Sequence, residues 1–84
     1  MVSVRIRINK RDIENGKPGK AQWCPIALAI KRKVKDAESI VVGINEIRVN
    51  YNAVPMSNSD KVFKWVRDFD HHKPVKPFSF TLYI

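Results

Sequence analysis

The chain has little of what secreted and membrane proteins commonly contain. It has a single cysteine, Cys24, so no disulfide can form within it, which favours a reducing compartment. No apolar run approaches the roughly 18–20 residues of a membrane span. The first residues also lack the apolar core of a signal peptide. We therefore expect a soluble protein of the cytoplasm that does not enter membranes.

Acidic residues are also scarce. Eight Asp and Glu stand against sixteen Lys and Arg, which gives a formal charge of +8 over 84 residues. On so small a surface this excess creates a positive field, and such a field favours an anionic partner. A nucleic acid, a phosphorylated ligand or an acidic protein would fit, whereas an acidic mimic of DNA is excluded by the sign of the charge.

The size of the chain predicts one domain, residues 1–84, because domains typically contain about 50–250 residues. Apolar residues make up 44% of the sequence, so the chain can fold. A single core of this size supplies a net stability of only roughly 3–5 kcal/mol. Assembly into a homo-oligomer or binding of a ligand would add to it.

Four segments have the pattern of β-strands, either strict alternation of apolar and polar residues or a short apolar run. They are residues 2–8, 40–42, 46–51 and 78–84. Helical spacing predicts a helix from about residue 24 to 35, with Pro25 in its first turn, and another over residues 59–70. The connections are expected to be a basic loop over 10–22, a turn at 43–45 and a loop over 52–57. Within the first loop residues 12–14 can form one helical turn, and residues 16–20 are expected to be flexible.

The resulting order, β-α-β-β-α-β, is typical of the ferredoxin-like arrangement. It predicts an α+β fold in which a four-stranded, mainly antiparallel sheet carries two helices on one face. The first and third strands would then be neighbours at the centre of the sheet. Another small α+β sandwich is the alternative prediction.

Three stretches in this order resemble a known family. They are Asp12-Ile13-Glu14-Asn15-Gly16, Cys24-Pro25-Ile26-Ala27-Leu28-Ala29-Ile30, and Val66-Arg67-Asp68-Phe69-Asp70 followed by Pro74-Val75-Lys76-Pro77-Phe78-Ser79-Phe80. Together they resemble a set of small proteins encoded by tailed bacteriophages, over about residues 12–82. The resemblance implies no specific activity. It implies a phage accessory protein in the host cytoplasm, of a kind that often counters host defences.

The first candidate site is the outward face of the strands. If Val2, Val4, Ile6 and Ile8 point to the core, Arg5 and Arg7 point away from it. Should the first and third strands be neighbours, Arg48 joins them, and Tyr83 joins if the last strand pairs with the first. Guanidinium groups beside an aromatic ring can grip phosphates and stack on bases. The alternative is an ordinary solvated face of a sheet.

The second candidate site is the end of the first predicted helix. Four cations lie within five residues there: Lys31, Arg32, Lys33 and Lys35. Such a cluster can bind a phosphate backbone. The alternative is that cations at a helix C-terminus complement the helix dipole, which accounts for one or two of them.

Other motifs do not support catalysis or a cofactor. The run Gly16 to Lys20 lacks the spacing of a nucleotide-binding loop, and Pro18 removes a backbone donor from it. Cys24 has no base near it in the sequence, so we expect a buried small residue. The adjacent histidines His71 and His72 point in different directions, which disfavours a shared metal. We predict no enzyme, no metal and no cofactor.

The sequence therefore predicts a small basic binding protein. Its leading function is to engage nucleic acid, or a host complex that contains nucleic acid, through Arg5, Arg7, Arg48 and the cations from Lys31 to Lys35. One alternative is an inhibitor that docks on an acidic patch of a host enzyme. Another is a sponge that captures a small phosphorylated signalling molecule.

Overall fold

The computed structural model describes residues 2–43 and 45–84. Three helices and five strands follow one another along them: β1 (Ser3–Ile8), α1 (Lys10–Asn15), α2 (Pro25–Lys33), β2 (Ile40–Val42), β3 (Ile47–Val49), β4 (Asn52–Val54), α3 (Ser59–Asp70) and β5 (Phe78–Tyr83). The middle of the turn predicted at 43–45, Ile44, lies outside the described residues. The sequence thus predicted α2, α3 and most of the strands. It indicated only one helical turn, at residues 12–14, where α1 forms, and it missed β4 as a strand.

The strands form two antiparallel sheets. In one sheet β1 pairs with β5 along its whole length, from Ser3 opposite Tyr83 to Ile8 opposite Phe78. In the other sheet β3 lies between β2 and β4. The alternating pattern of β1 and β5 directs Ile6, Phe80 and their apolar neighbours inward, where they are buried.

The segment after β4 connects the two sheets. Its residues Pro55 to Ser57 run beside β5, where the N–H of Tyr83 donates to the carbonyl of Pro55 and the N–H of Ser57 donates to the carbonyl of Thr81. Met56 forms an isolated antiparallel bridge with Leu82. One extended stretch of chain therefore pairs first with β3 and then with β5.

A tight hairpin joins β3 to β4. Val49 is paired with Asn52, which leaves Asn50 and Tyr51 as a two-residue loop. Both have positive φ, 52° and 71°, as a type I′ turn requires. The side chain of Asn50 also accepts the N–H groups of Glu38 and Ser39, so the turn is tied to the start of β2.

Helices α1 and α2 begin with side-chain caps. Asn9 accepts the N–H of Asp12, and the carboxylate of Asp12 accepts the N–H of Asn9, a reciprocal capping box. In α2 the Cys24 sulfur accepts the N–H of Ala27, and Pro25 occupies the first turn, where it costs no hydrogen bond.

The core lies between the sheets and the helices. Its largest buried side chains include Phe80, Ile6, Ile26, Ile30 and Ile47, and α3 adds Val62, Phe63 and Val66. Helix α2 contacts both β1 and β2. It thereby holds one strand of each sheet against the same apolar face.

The predicted α+β class is confirmed, in the form of a small sandwich. The ferredoxin-like order of strands is wrong, however, because β3 pairs with β2 and β4 and has no ladder with β1. The reason is the hairpin at Asn50, which returns the chain along β3 as β4. Strand β4 therefore occupies the position beside β3 that was predicted for β1.

No helix in residues 2–43 and 45–84 is long and apolar enough to cross a membrane.

Candidate anion-binding site

Strand β1 positions two arginines on the outer face of its sheet. Ile6 and Ile8 are buried in the core, so Arg5 and Arg7 on the alternate positions are exposed. Opposite them on β5 lie Thr81 and Ser79. The predicted outward direction of the two arginines is therefore confirmed.

Helix α2 brings two further cations to the same place. Arg32 and Lys33, in its last turn, line a cavity of about 590 Å³ together with Arg5 and Arg7. Asn9 and Ala29 complete the lining. Two clusters that are about 25 residues apart in the sequence thus form one basic cleft, which we define by Arg5, Arg7, Arg32 and Lys33.

A buried carboxylate fixes one wall of the basic cleft. Asp12 is only 4% exposed, and its Oδ1 accepts a hydrogen bond from Arg32 at 2.5 Å. The guanidinium of Arg32 also donates to the backbone carbonyl of Arg7 at 2.8 Å. The hydrogen bond that Arg32 donates to Asp12 raises the pKa of Arg32 further, so this residue stays charged at every accessible pH. Arg32 therefore links α1, α2 and β1.

The other cations of the basic cleft are not neutralised by acids. The guanidinium of Arg5 donates to the hydroxyls of Ser79 and Thr81, at 2.9 and 3.3 Å, which orient it without cancelling its charge. Among the described residues, Arg7 and Lys33 have no ion-pair partner. Three of the four cations are thus available to an anion, and Arg32 is half exposed.

The edge of β1 that faces away from β5 is open. Val2 and Ile84 exchange both of their backbone hydrogen bonds. In the antiparallel ladder the backbone N–H and C=O groups of the alternate residues, Ser3, Arg5 and Arg7, therefore point to the opposite edge of β1. The carbonyl of Arg7 accepts from Arg32, whereas within the described chain the backbone groups of Ser3 and Arg5 on this edge are unpaired. Arg5, which lines the basic cleft, therefore has backbone groups without a partner among the described residues in addition to its side-chain charge.

The structure separates the other predicted site residues from the basic cleft. Arg48 lies in the second sheet and pairs with Glu46 at 3.2 Å, so its predicted place beside Arg5 is wrong. Lys31 contacts the ring of Trp23, and Lys35 lies beyond the end of α2. Tyr83 does lie on the same strand pair, but it faces Ser3 at the far end.

Sequence reasoning missed the two residues that organise the basic cleft. Asn9 lines it and caps α1, and Asp12 anchors Arg32. The signal available was an Asn followed three residues later by Asp, the spacing of a capping box. No local signal indicates the partner of Asp12, because Arg32 is twenty residues away.

Cys24 is a buried structural residue, as the sequence predicted. It is 4% exposed, and burial raises the pKa of its thiol. We expect the folded protein to react with a thiol reagent at pH 8 about tenfold more slowly, or slower still, than the chain in denaturant, because little thiolate forms. Equal rates in the two states would contradict this.

The same pKa shift makes stability depend on pH. The unfolded thiol ionises at a lower pH than the folded one, so the unfolded state binds fewer protons above its ordinary pKa. Below the pKa of the unfolded thiol, Cys24 leaves the free energy of unfolding unchanged. As pH rises from that value toward the pKa of the folded thiol, the free energy of unfolding falls.

No protein-family model, no curated protein and no solved structure matches this chain.

Proposed function

We propose that this protein binds nucleic acid, with the phosphates of the strand held in the basic cleft. The observation that supports this most directly is the convergence of Arg5, Arg7, Arg32 and Lys33 on one cavity. Among the described residues only Arg32 of the four forms an ion pair, with Asp12. Planar guanidinium groups match the oxygens of phosphate and form charge-assisted hydrogen bonds to them.

The basic cleft is organised before any ligand arrives. Arg32 is fixed by Asp12 and by the carbonyl of Arg7, and Arg5 is oriented by two hydroxyls. A phosphate would therefore meet side chains that have already lost much of their rotamer freedom, which lowers the cost of binding. None of these contacts reads a base edge, so the basic cleft favours affinity over sequence selectivity.

Salt dependence tests the proposal. If three or four phosphates are neutralised, raising salt from about 50 to 200 mM should weaken binding to a single strand about 20- to 50-fold. The affinity should be measured by fluorescence anisotropy with single-stranded DNA, single-stranded RNA, duplex DNA and a free nucleoside triphosphate.

Each outcome selects one function. Tight, salt-dependent binding of a strand supports the proposal, whereas binding unchanged by salt contradicts the mechanism. Tight capture of the nucleoside triphosphate with no binding to any strand would replace it with a sponge for phosphorylated small molecules. A role in countering host defence, which only the resemblance to phage proteins implies, stays a prediction.

A further inference from the structure

Trp23 presents an aromatic ring to solvent beside the start of α2. It is 52% exposed, although the neighbouring Cys24 and Pro25 are buried. A tryptophan has the largest apolar surface of any side chain, and exposed aromatic rings of this kind are the platforms on which unpaired bases stack. Trp23 is not part of the hydrophobic core formed by the described residues.

The loop that carries Trp23 is held in place, contrary to the flexible loop that the sequence predicted. The N–H of Lys17 donates to the carbonyl of Trp23, and the N–H of Trp23 donates to the carbonyl of Lys20. Two further bonds anchor the loop from outside: Gly19 N–H to the carboxylate of Asp70 in α3, and Val42 N–H to the carbonyl of Ala21. The ring is therefore attached to a braced segment.

One cation lies over the ring, and a second lines the groove beside it. The ammonium of Lys31 lies over one face of the ring, 4.2 Å from its centroid, and donates to the carbonyl of Gln22 at 3.0 Å. Lys20 lies with Trp23 along an open groove of about 360 Å³. A half-exposed ring with one face held by an ammonium group can offer its other face to a base, with charge nearby for the phosphate.

Helix α2 connects this platform to the basic cleft. Lys31 faces Trp23, and the next two residues, Arg32 and Lys33, line the basic cleft, because successive helical residues are rotated by about 100°. A strand that crosses the end of α2 would meet both surfaces. A duplex cannot use the platform, since its bases are already stacked on one another.

We propose that Trp23 stacks on a base of a single-stranded nucleic acid whose phosphates occupy the basic cleft, so that the protein prefers single strands to duplexes. This rests on the function proposed above.

Tryptophan fluorescence tests the platform directly. In a Trp65→Phe background Trp23 is the sole fluorophore of its type, and oligothymidine should quench its emission, whereas a duplex of equal length should not. The Trp23→Ala variant should bind oligothymidine about tenfold more weakly, given about 1–3 kcal/mol for each stacked base. Its affinity for the duplex should change less than about twofold, and Trp23→Phe should retain most of the binding. Thermal melting of each variant checks that it is folded.

The outcomes separate the two proposals. If charge reversal of Arg5 and Arg7 abolishes binding of oligothymidine while Trp23→Ala binds it as well as wild type does, the proposed stacking on Trp23 is wrong. Phosphate binding in the basic cleft is then supported. Equal quenching by single strand and duplex also overturns the platform. If wild type binds no oligonucleotide at all, both proposals fail.

Discussion

Replacing both Arg5 and Arg7 by glutamate should lower the affinity for single-stranded nucleic acid about 100-fold at low salt, because two attractions become repulsions of like charge. Both side chains are exposed on the outer face of β1, so the fold should be unaffected. The slope of log affinity against log salt should also become shallower by about 1.4, the share of two phosphates on a single strand.

The matched control is Lys61→Glu with Arg67→Glu on α3. It changes the net charge by the same amount, and both residues are exposed and lie outside the lining of the basic cleft. We expect it to weaken binding only a few-fold, through the general field of the protein. Equal losses in the two double variants would show that the total charge binds the ligand and that the basic cleft has no special role.

Replacing Asp12 by alanine should lower the free energy of unfolding by about 2–3 kcal/mol, the sum of a lost charge-assisted hydrogen bond and a lost helix cap. This figure allows for the half-exposed guanidinium of Arg32, which water can solvate once Asp12 is gone. For a domain of this size the melting temperature should fall by roughly 10–20 °C. Thermal unfolding followed by circular dichroism measures it.

Glu14→Ala is the control for this variant. Glu14 lies on the same short helix and carries the same charge, but it is exposed and forms no ion pair with a described residue. Its melting temperature should stay within a few degrees of wild type. If Asp12→Ala is as stable as Glu14→Ala, the contact between Asp12 and Arg32 is not what joins α1 to α2.

The sequence predicts those parts of the fold that depend on the local pattern of apolar and polar residues. Alternation of isoleucine and arginine in residues 2–8 placed Arg5 and Arg7 outward, and the apolar stripe of residues 59–70 fixed α3. Each pattern reports which side of one element is buried. It does not report which other element covers it, and this limit produced the main errors.

Arg48 shows the consequence of this limit. Its own alternation was interpreted correctly, since Ile47 and Val49 are buried and Arg48 is exposed. The strands that pair with β3 are not predicted correctly. The hairpin after β3 has Asn50 and Tyr51 at positive φ and lacks the glycine that usually marks such a turn. The pattern of Asn52 to Val54 is also too short to indicate a strand. The sequence therefore predicts β1 as a neighbour of β3, whereas β4 occupies that position.

The basic cleft was half predictable for a related reason. The sequence identified both of its clusters of cations, on β1 and at the end of α2, as separate sites. Their union depends on α2 packing beside β1, and on the pairing of Arg32 with a carboxylate twenty residues away. Contacts between residues so far apart in the sequence depend on tertiary packing, and no periodic pattern in the sequence indicates them.

The open edge of β1 has a consequence for how copies of this protein treat one another. Unpaired backbone groups on an edge strand are a template for a second strand, and charged side chains on such edges discourage aggregation. If two copies met edge to edge in antiparallel register about Arg5, that arginine would face its own counterpart, and Arg7 would face Ser3. Like charges directly opposite each other are destabilising. In this register Arg5 therefore disfavours pairing between two copies, and an anion bound at Arg5 would weaken that repulsion.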